Sequence, residues 1–116
     1  MKIIDKNQKI TNSQLSAMSK KMFGDLVKAV VDTEKEIMVV NAEMHADEEA
    51  ELLSKGSKQK NLWGINLYPE LFGKSDFIEF DSMINLRPSQ ENRSRSVDSL
   101  EIRKEIIETV NKLVEK

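Results

Sequence analysis

Three of the four arginines in this chain fall within one short run, at Arg87, Arg93 and Arg95. An arginine side chain presents a rigid planar fork of N–H donors that matches a carboxylate or a phosphate, whereas a lysine presents a single charged point. Asn92 and Ser94 stand beside these arginines and add neutral donors. The run therefore predicts a loop that binds an anionic group. The alternative interpretation is a solvated turn in which the arginines pair with acids of the protein itself.

Polar residues alternate with apolar ones in several segments, and period-two alternation places every second residue on one face of a strand. The residues assigned in this way to polar faces are Asn41, Glu43, His45, Asn66, Tyr68, Glu79, Asp81, Asn85 and Arg87. Because asparagine is a poor strand former, we expect Asn66 and Asn85 to join the arginine loop in binding a ligand. The alternative is the ordinary wet face of an antiparallel sheet that is covered on its other side.

His45 is the only histidine and the candidate for acid–base chemistry. Asp81 or Glu43 would orient its ring, and the arginines would hold an anionic substrate. No serine nucleophile motif accompanies it, and a single histidine at a strand end more often has a structural role. The carboxylates of Glu43, Asp47, Glu79 and Asp81 suit a hard cation, but no calcium-binding loop or glycine-rich phosphate loop occurs. We predict neither a metal site nor a cofactor.

The elements that would position these residues alternate between helices and strands. Thr11 and Gln14 have the spacing of a capping box, which predicts a helix that begins there and ends at Gly24. The other predicted elements are a strand at the first residues, strands over 26–32 and 37–44, a helix over 47–56, strands over 62–68 and 78–86, and a last helix from about residue 99 that begins with a capping box of Asp98 and Glu101. Gly64, inside a strand, indicates a bulge or the close approach of another group.

The order βαββαββα is rich in hairpins and contains no dinucleotide-binding motif. It predicts one α+β domain over residues 1–116, a two-layer sandwich in which about three helices pack on one face of a mostly antiparallel sheet of four to five strands. The apolar faces of these elements place Trp63, Phe80, Ile84, Ile106 and Val110 in one core.

The composition limits the function classes. The 18 basic and 20 acidic residues give a net charge of −2, so we expect no strong nucleic-acid binding and dissociation constants no tighter than roughly 10⁻⁵ M. The absence of cysteine excludes disulfides, zinc–thiolate sites, iron–sulfur clusters and thiol catalysis. No signal peptide or apolar stretch of membrane-spanning length is present, so we expect a cytoplasmic protein with no membrane partner.

Four segments have a distinctive sequence, namely Met44-His-Ala-Asp-Glu-Glu49, Leu62-Trp-Gly-Ile-Asn-Leu-Tyr-Pro69, Phe77-Ile-Glu-Phe-Asp-Ser-Met-Ile-Asn-Leu-Arg-Pro88 and Asn92-Arg-Ser-Arg95. In these segments the chain resembles an uncharacterised family of small prokaryotic proteins. The resemblance covers roughly residues 22–107. It implies a free-standing cytoplasmic protein and carries no catalytic role with it.

Three classes of function stay open. The first is a binding module that holds an anionic small molecule or an acidic partner at the arginine loop, beside the polar sheet face. The second is a small enzyme that uses His45 and Asp81 on that face. The third is a structural protein that forms a homo-oligomer through the sheet face. We favour the first, because planar donors are concentrated in one run.

Overall fold

The computed structural model describes residues 1–116, which form three α-helices and seven β-strands. The strands are β1 (Lys2–Ile4), β2 (Ile10–Thr11), β3 (Val27–Asp32), β4 (Ile37–Val40), β5 (Leu62–Leu67), β6 (Ile78–Glu79) and β7 (Val114–Glu115). The helices are α1 (Asn12–Met22), α2 (His45–Ser54) and α3 (Leu100–Leu113). Single turns of 3-10 helix occur in the connections, among them Met83–Asn85 and Pro88–Gln90.

Five of the strands form one antiparallel sheet in the order β1-β4-β3-β5-β6. β2 and β7 form a separate parallel pair. This pairing holds residues 114 and 115 beside the start of α1. The predicted α+β fold, with an antiparallel sheet and three helices, is confirmed.

The capping box at the start of α1 is present as predicted. The Thr11 hydroxyl accepts a hydrogen bond from the Gln14 amide at 3.1 Å, and the Gln14 side chain accepts one from the Thr11 amide at 2.9 Å. Two backbone donors that lack partners within the helix are thereby satisfied. Leu15 is then fully buried against the sheet, which fixes the face that α1 presents to the core.

The main core lies between the sheet and the two helices α1 and α3. Trp63, Ile106 and Val110 are buried in it, as predicted, and Phe80 packs at its margin. Ile84 does not join them, because it packs against a second and smaller cluster on the opposite face of the sheet. The placement of Ile84 in the main core was therefore wrong.

The helix α2 covers that opposite face, where Leu52 packs against Val30, Val39 and Leu62. This differs from the expectation that all helices lie on one face. The cause is the sequence of β3, in which the adjacent residues Val30 and Val31 are both fully buried. A strand with apolar residues on both faces needs cover on both sides.

The predicted strand over 78–86 is wrong beyond its first two residues. β6 ends at Glu79, and residues 83–85 form a turn of 3-10 helix. The chain crosses close above Gly64, so that a Cβ atom built on Gly64 would lie 2.5 Å from the Cβ atom of Ser82. The close approach predicted at Gly64 is confirmed, since any larger residue would collide with Ser82.

Two other predicted boundaries are corrected. β4 ends at Val40, because Asn41 adopts a left-handed backbone conformation with φ of 72°, and His45 begins α2 rather than lying on a strand. The N-cap of α3 is Ser99, whose hydroxyl accepts from the Ile102 amide at 3.2 Å, and not Asp98.

Candidate functional site

The side chain of Asn85 replaces a neighbouring strand at the open edge of β5. Its Nδ2 donates to the Gly64 carbonyl at 2.9 Å, and its Oδ1 accepts from the Gly64 amide at 2.8 Å. Nδ2 also donates to the Arg95 carbonyl at 3.0 Å. A carboxamide carries the same donor and acceptor as a peptide group, so it satisfies both backbone groups of Gly64 where β6 has already ended.

Arg87 binds the same edge of β5, nearer the start of the strand. Its guanidinium donates to the carbonyls of Gln59 and Leu62, the latter at 2.5 Å, and lies 4.2 Å from the centre of the Trp63 ring. Only 8% of Arg87 is exposed. Arg87 therefore binds backbone carbonyls of its own protein, and its guanidinium group is not free to bind an anion.

Asn92 organises the loop that contains the other two arginines. Its Nδ2 contacts the carbonyls of Asn85, Ser94 and Ser96 at 2.7–3.1 Å, and its Oδ1 accepts from the Asp98 amide at 2.8 Å. Asn92 is 2% exposed. A buried polar side chain with this many partners holds the backbone of a loop in one conformation.

Arg93 and Arg95 project from this fixed loop. The Asp98 carboxylate accepts from the Arg93 amide at 2.8 Å and from the Ser94 hydroxyl at 2.5 Å, and these two bonds hold the pKa of Asp98 below its usual range. The guanidinium of Arg93 is exposed and has no hydrogen-bond partner in the protein. Arg95 uses Nε alone, which lies 2.8 Å from Oδ1 of Asp81. The three guanidinium groups therefore lie in three different environments.

Asn66 connects several residues of the predicted polar face. Its Nδ2 donates to Glu79 Oε1 at 2.8 Å and to the Asp81 carbonyl at 3.4 Å. Lys28 is its direct neighbour across the sheet on β3, and Glu79 is its neighbour on β6. Tyr68 donates to the same Glu79 oxygen at 2.9 Å. Asn66 is 7% exposed, so its buried side chain holds these groups in place.

His45 lies against the residue that precedes Asn66. Its Nε2 is 2.7 Å from the Ile65 carbonyl, and a carbonyl only accepts, so Nε2 carries the hydrogen and Nδ1 is the free acceptor of the neutral ring. Burial lowers the pKa of His45, and the charges of Lys28 and Arg95 lower it further, against the raising effects of the Ile65 carbonyl and Asp81. His45 is therefore neutral near pH 7.

The structure brings His45, Asp81 and Arg95 to one region but leaves Glu43 out of it. Glu43 is exposed and makes no hydrogen bond. Asp47 lies in the first turn of α2, where the helix dipole favours a negative charge. No three acidic or histidine side chains come close enough to one another to hold a metal ion.

Two groups near this face were missed by the sequence analysis. Lys28 was treated only as part of a strand, although its alternation with Ala29 places it on the same face as Asn66. Glu48 was counted among the helix-end acids of α2, but it is fully buried. Its four-residue spacing from Leu52 was the available signal, because residues i and i+4 share one helix face.

The buried carboxyl of Glu48 is only half satisfied. Its Oε2 accepts from the Ala42 amide at 3.2 Å, whereas Oε1 has no partner. Burial raises the pKa of Glu48 to about 9, despite the lowering effects of the Ala42 amide and of Lys28. Glu48 is therefore a neutral acid at pH 7.

The fold and the site describe a small α+β protein with a fixed polar cluster at one end of its sheet. The chain belongs to a family described as a protein of unknown function (DUF5674), whose model matches residues 2–113. Neither a curated protein nor a solved structure matches the chain. None of the three helices has the length and apolar character that crossing a membrane requires.

Proposed function

We propose that the protein is a binding module for a small anion, held on the face around Asn66 by Arg95 and Lys28 beside His45. The observation that carries the proposal is the convergence of these residues on one short stretch of β5. His45 contacts Ile65, Lys28 lies across from Asn66, and Arg95 is bound to Asp81, whose carbonyl contacts Asn66.

Donors remain free at this face. Only Nε of Arg95 has an acceptor, so both of its terminal nitrogens are unused, and the side chain is about half exposed. The Lys28 ammonium lies 4.9 Å from the centre of the Phe23 ring and takes part in no ion pair. A planar guanidinium fork and a second cation are the groups that proteins use to hold carboxylates and phosphates.

This proposal changes the residues of the anion site. Arg87, Asn85 and Asn92 were predicted to bind the ligand, but all three are buried. Their carboxamide and terminal guanidinium nitrogens already donate to backbone carbonyls. Arg93 has a free fork but no contact with the polar cluster. The ligand-binding role therefore moves from the middle of the arginine loop to its end, at Arg95.

Thermal denaturation in inorganic phosphate tests this assignment. At ten times its dissociation constant, phosphate stabilises a protein by about 1.4 kcal/mol, which raises the melting temperature of a domain this size by roughly 5 °C. We expect Arg95→Lys to lose most of this gain, because lysine keeps the charge but not the fork. Arg93→Lys is the matched control and should keep it. Equal shifts in wild type and both variants would mean general salt stabilisation and no site.

A second candidate function is acid–base catalysis by His45 on a bound anion. It is favoured by the Ile65 carbonyl, which fixes the tautomer and leaves Nδ1 with a free lone pair in a neutral ring. Hydrolysis of p-nitrophenyl phosphate by wild type, and its loss in His45→Gln with phosphate binding retained, would favour this enzyme. Turnover that is unchanged in His45→Gln would exclude it.

The face around His45 is less open than the homo-oligomer alternative requires. The helix α2 packs on this face of the sheet through Leu52, and Ile84 packs against the same apolar cluster. We do not propose assembly through this face, because the apolar surface that would drive it is already buried within one chain.

A further inference from the structure

We propose that a second site, between α3 and the loop that follows β5, binds a small apolar carboxylate. A cavity of about 440 Å³ opens there. Its walls are formed by Phe72, Phe77, Ile78 and Ile107. The volume lies within the range of small-molecule pockets, which are largely apolar and carry a few placed polar groups.

The apolar walls exist before any ligand arrives. Phe72 and Phe77 meet edge to face, with ring centres 5.2 Å apart and planes at 86°, and Phe77 is 5% exposed. An aromatic pair in this geometry holds both rings in place. Ile107 completes the wall from α3 and stays 39% exposed, although a large aliphatic side chain gains free energy by burial. A ligand with an apolar body would supply that burial.

Each polar side chain of the cavity has at least one hydrogen-bond donor, and none of them is a carboxylate. They are Lys74, Ser75 and Asn111. The Lys74 ammonium takes part in no ion pair, and the side-chain carboxamide of Asn111 forms no hydrogen bond in the protein. One positive charge above an apolar wall is complementary to a carboxylate on a ring or short aliphatic chain.

This site is separate from the face around His45. Ile78 packs against the main core, on the side of α1 and α3, whereas His45 belongs to α2 on the opposite face of the sheet. The proposal therefore stands independently of the function proposed above.

The experiment compares benzoate with benzyl alcohol, its neutral counterpart of similar shape, by following backbone amide signals in ¹⁵N NMR titrations. We expect benzoate to shift the signals of residues 72–78 and 107–111 and to bind about threefold tighter than benzyl alcohol, the effect of one partly exposed charge pair. Lys74→Gln should remove that difference. Ile107→Ser should weaken both compounds, and it should fold because the side chain it replaces is already partly in solvent.

Lys104→Gln is the matched control, because Lys104 is an exposed lysine of α3 that does not line the cavity. It should leave both affinities unchanged. Equal affinity of the two compounds for the wild type, or a preference for benzoate that survives Lys74→Gln, would overturn the proposed ligand class. Benzoate shifts located outside this cavity would overturn the site itself.

Discussion

Glu48→Gln is expected to stabilise the protein at pH 8 by several kcal/mol and to remove the fall in stability with rising pH that Glu48 causes. Glutamine keeps the oxygen that accepts from the Ala42 amide. It cannot ionise, so the folded state no longer has to hold a proton or bury a charge.

The sign of the pH dependence follows from the raised pKa. The unfolded chain releases the Glu48 proton near pH 4.5, whereas the folded protein holds it until about pH 9. Between these values the folded state binds more protons than the unfolded state, so the free energy of unfolding falls as pH rises. Below pH 4.5 both states are protonated and the effect vanishes.

Urea denaturation of both proteins from pH 5 to pH 9 measures this difference. The stability of the wild type should fall steadily relative to that of Glu48→Gln as pH rises. Glu51→Gln, on the same helix, is the control, because Glu51 is partly exposed and its contact with Lys55 is a weak one at 4.0 Å. Parallel curves for wild type and Glu48→Gln would mean that the carboxyl is solvated in the folded state.

Asn85→Ala is expected to lower the free energy of unfolding by about 3 kcal/mol. The substitution leaves the amide and the carbonyl of Gly64 without these partners. It also removes one of the two hydrogen bonds to the Arg95 carbonyl, which still accepts from the Ser82 amide at 3.0 Å. Each buried group left unsatisfied costs about 1–3 kcal/mol, although a relaxed loop recovers part of that through water. Asn85→Asp should also destabilise, because it keeps the acceptor and loses the donors.

Chemical denaturation and amide hydrogen exchange together check this prediction. The Gly64 amide should exchange much faster in Asn85→Ala, since its acceptor is gone. Asn111→Ala is the control, because Asn111 is exposed and its side chain forms no hydrogen bond in the protein. A loss below about 1 kcal/mol, with Gly64 still protected, would show that another group pairs with the edge of β5.

The elements that were predicted correctly from the sequence are those that depend on residues close to one another in the chain. The capping box at Thr11 and Gln14 depends on residues three apart, and the alternation in β5 reflects the sheet itself. The segment after Glu79 also alternates, yet it leaves the sheet, because Asn85 pairs with Gly64 through its side chain. Periodicity alone does not distinguish pairing by a backbone from pairing by a carboxamide.

Three of the polar residues singled out in the sequence lie near one another, but not for the reason that the sequence indicated. Asn66 lies on the polar face of β5, as the alternation of that strand indicates. His45 instead reaches the Ile65 carbonyl from the first turn of α2, and Asp81 lies beyond the end of β6, so strand alternation does not account for their positions. Arg87 was grouped with Arg93 and Arg95 by sequence proximity, but it binds the carbonyls of Gln59 and Leu62. Arg87 and Leu62 are more than twenty positions apart in the sequence, so no pattern near Arg87 predicts this contact.

The most direct test of the anion site is the titration of His45 by NMR with and without inorganic phosphate. His45 is the only histidine, so its ring signals are unambiguous. Without phosphate its pKa should lie below 6.5, because burial and the charges of Lys28 and Arg95 disfavour the imidazolium. A bound anion offsets those charges, so phosphate should raise the pKa of His45 in the wild type and much less in Arg95→Lys. A pKa that does not change with phosphate would contradict an anion site on this face.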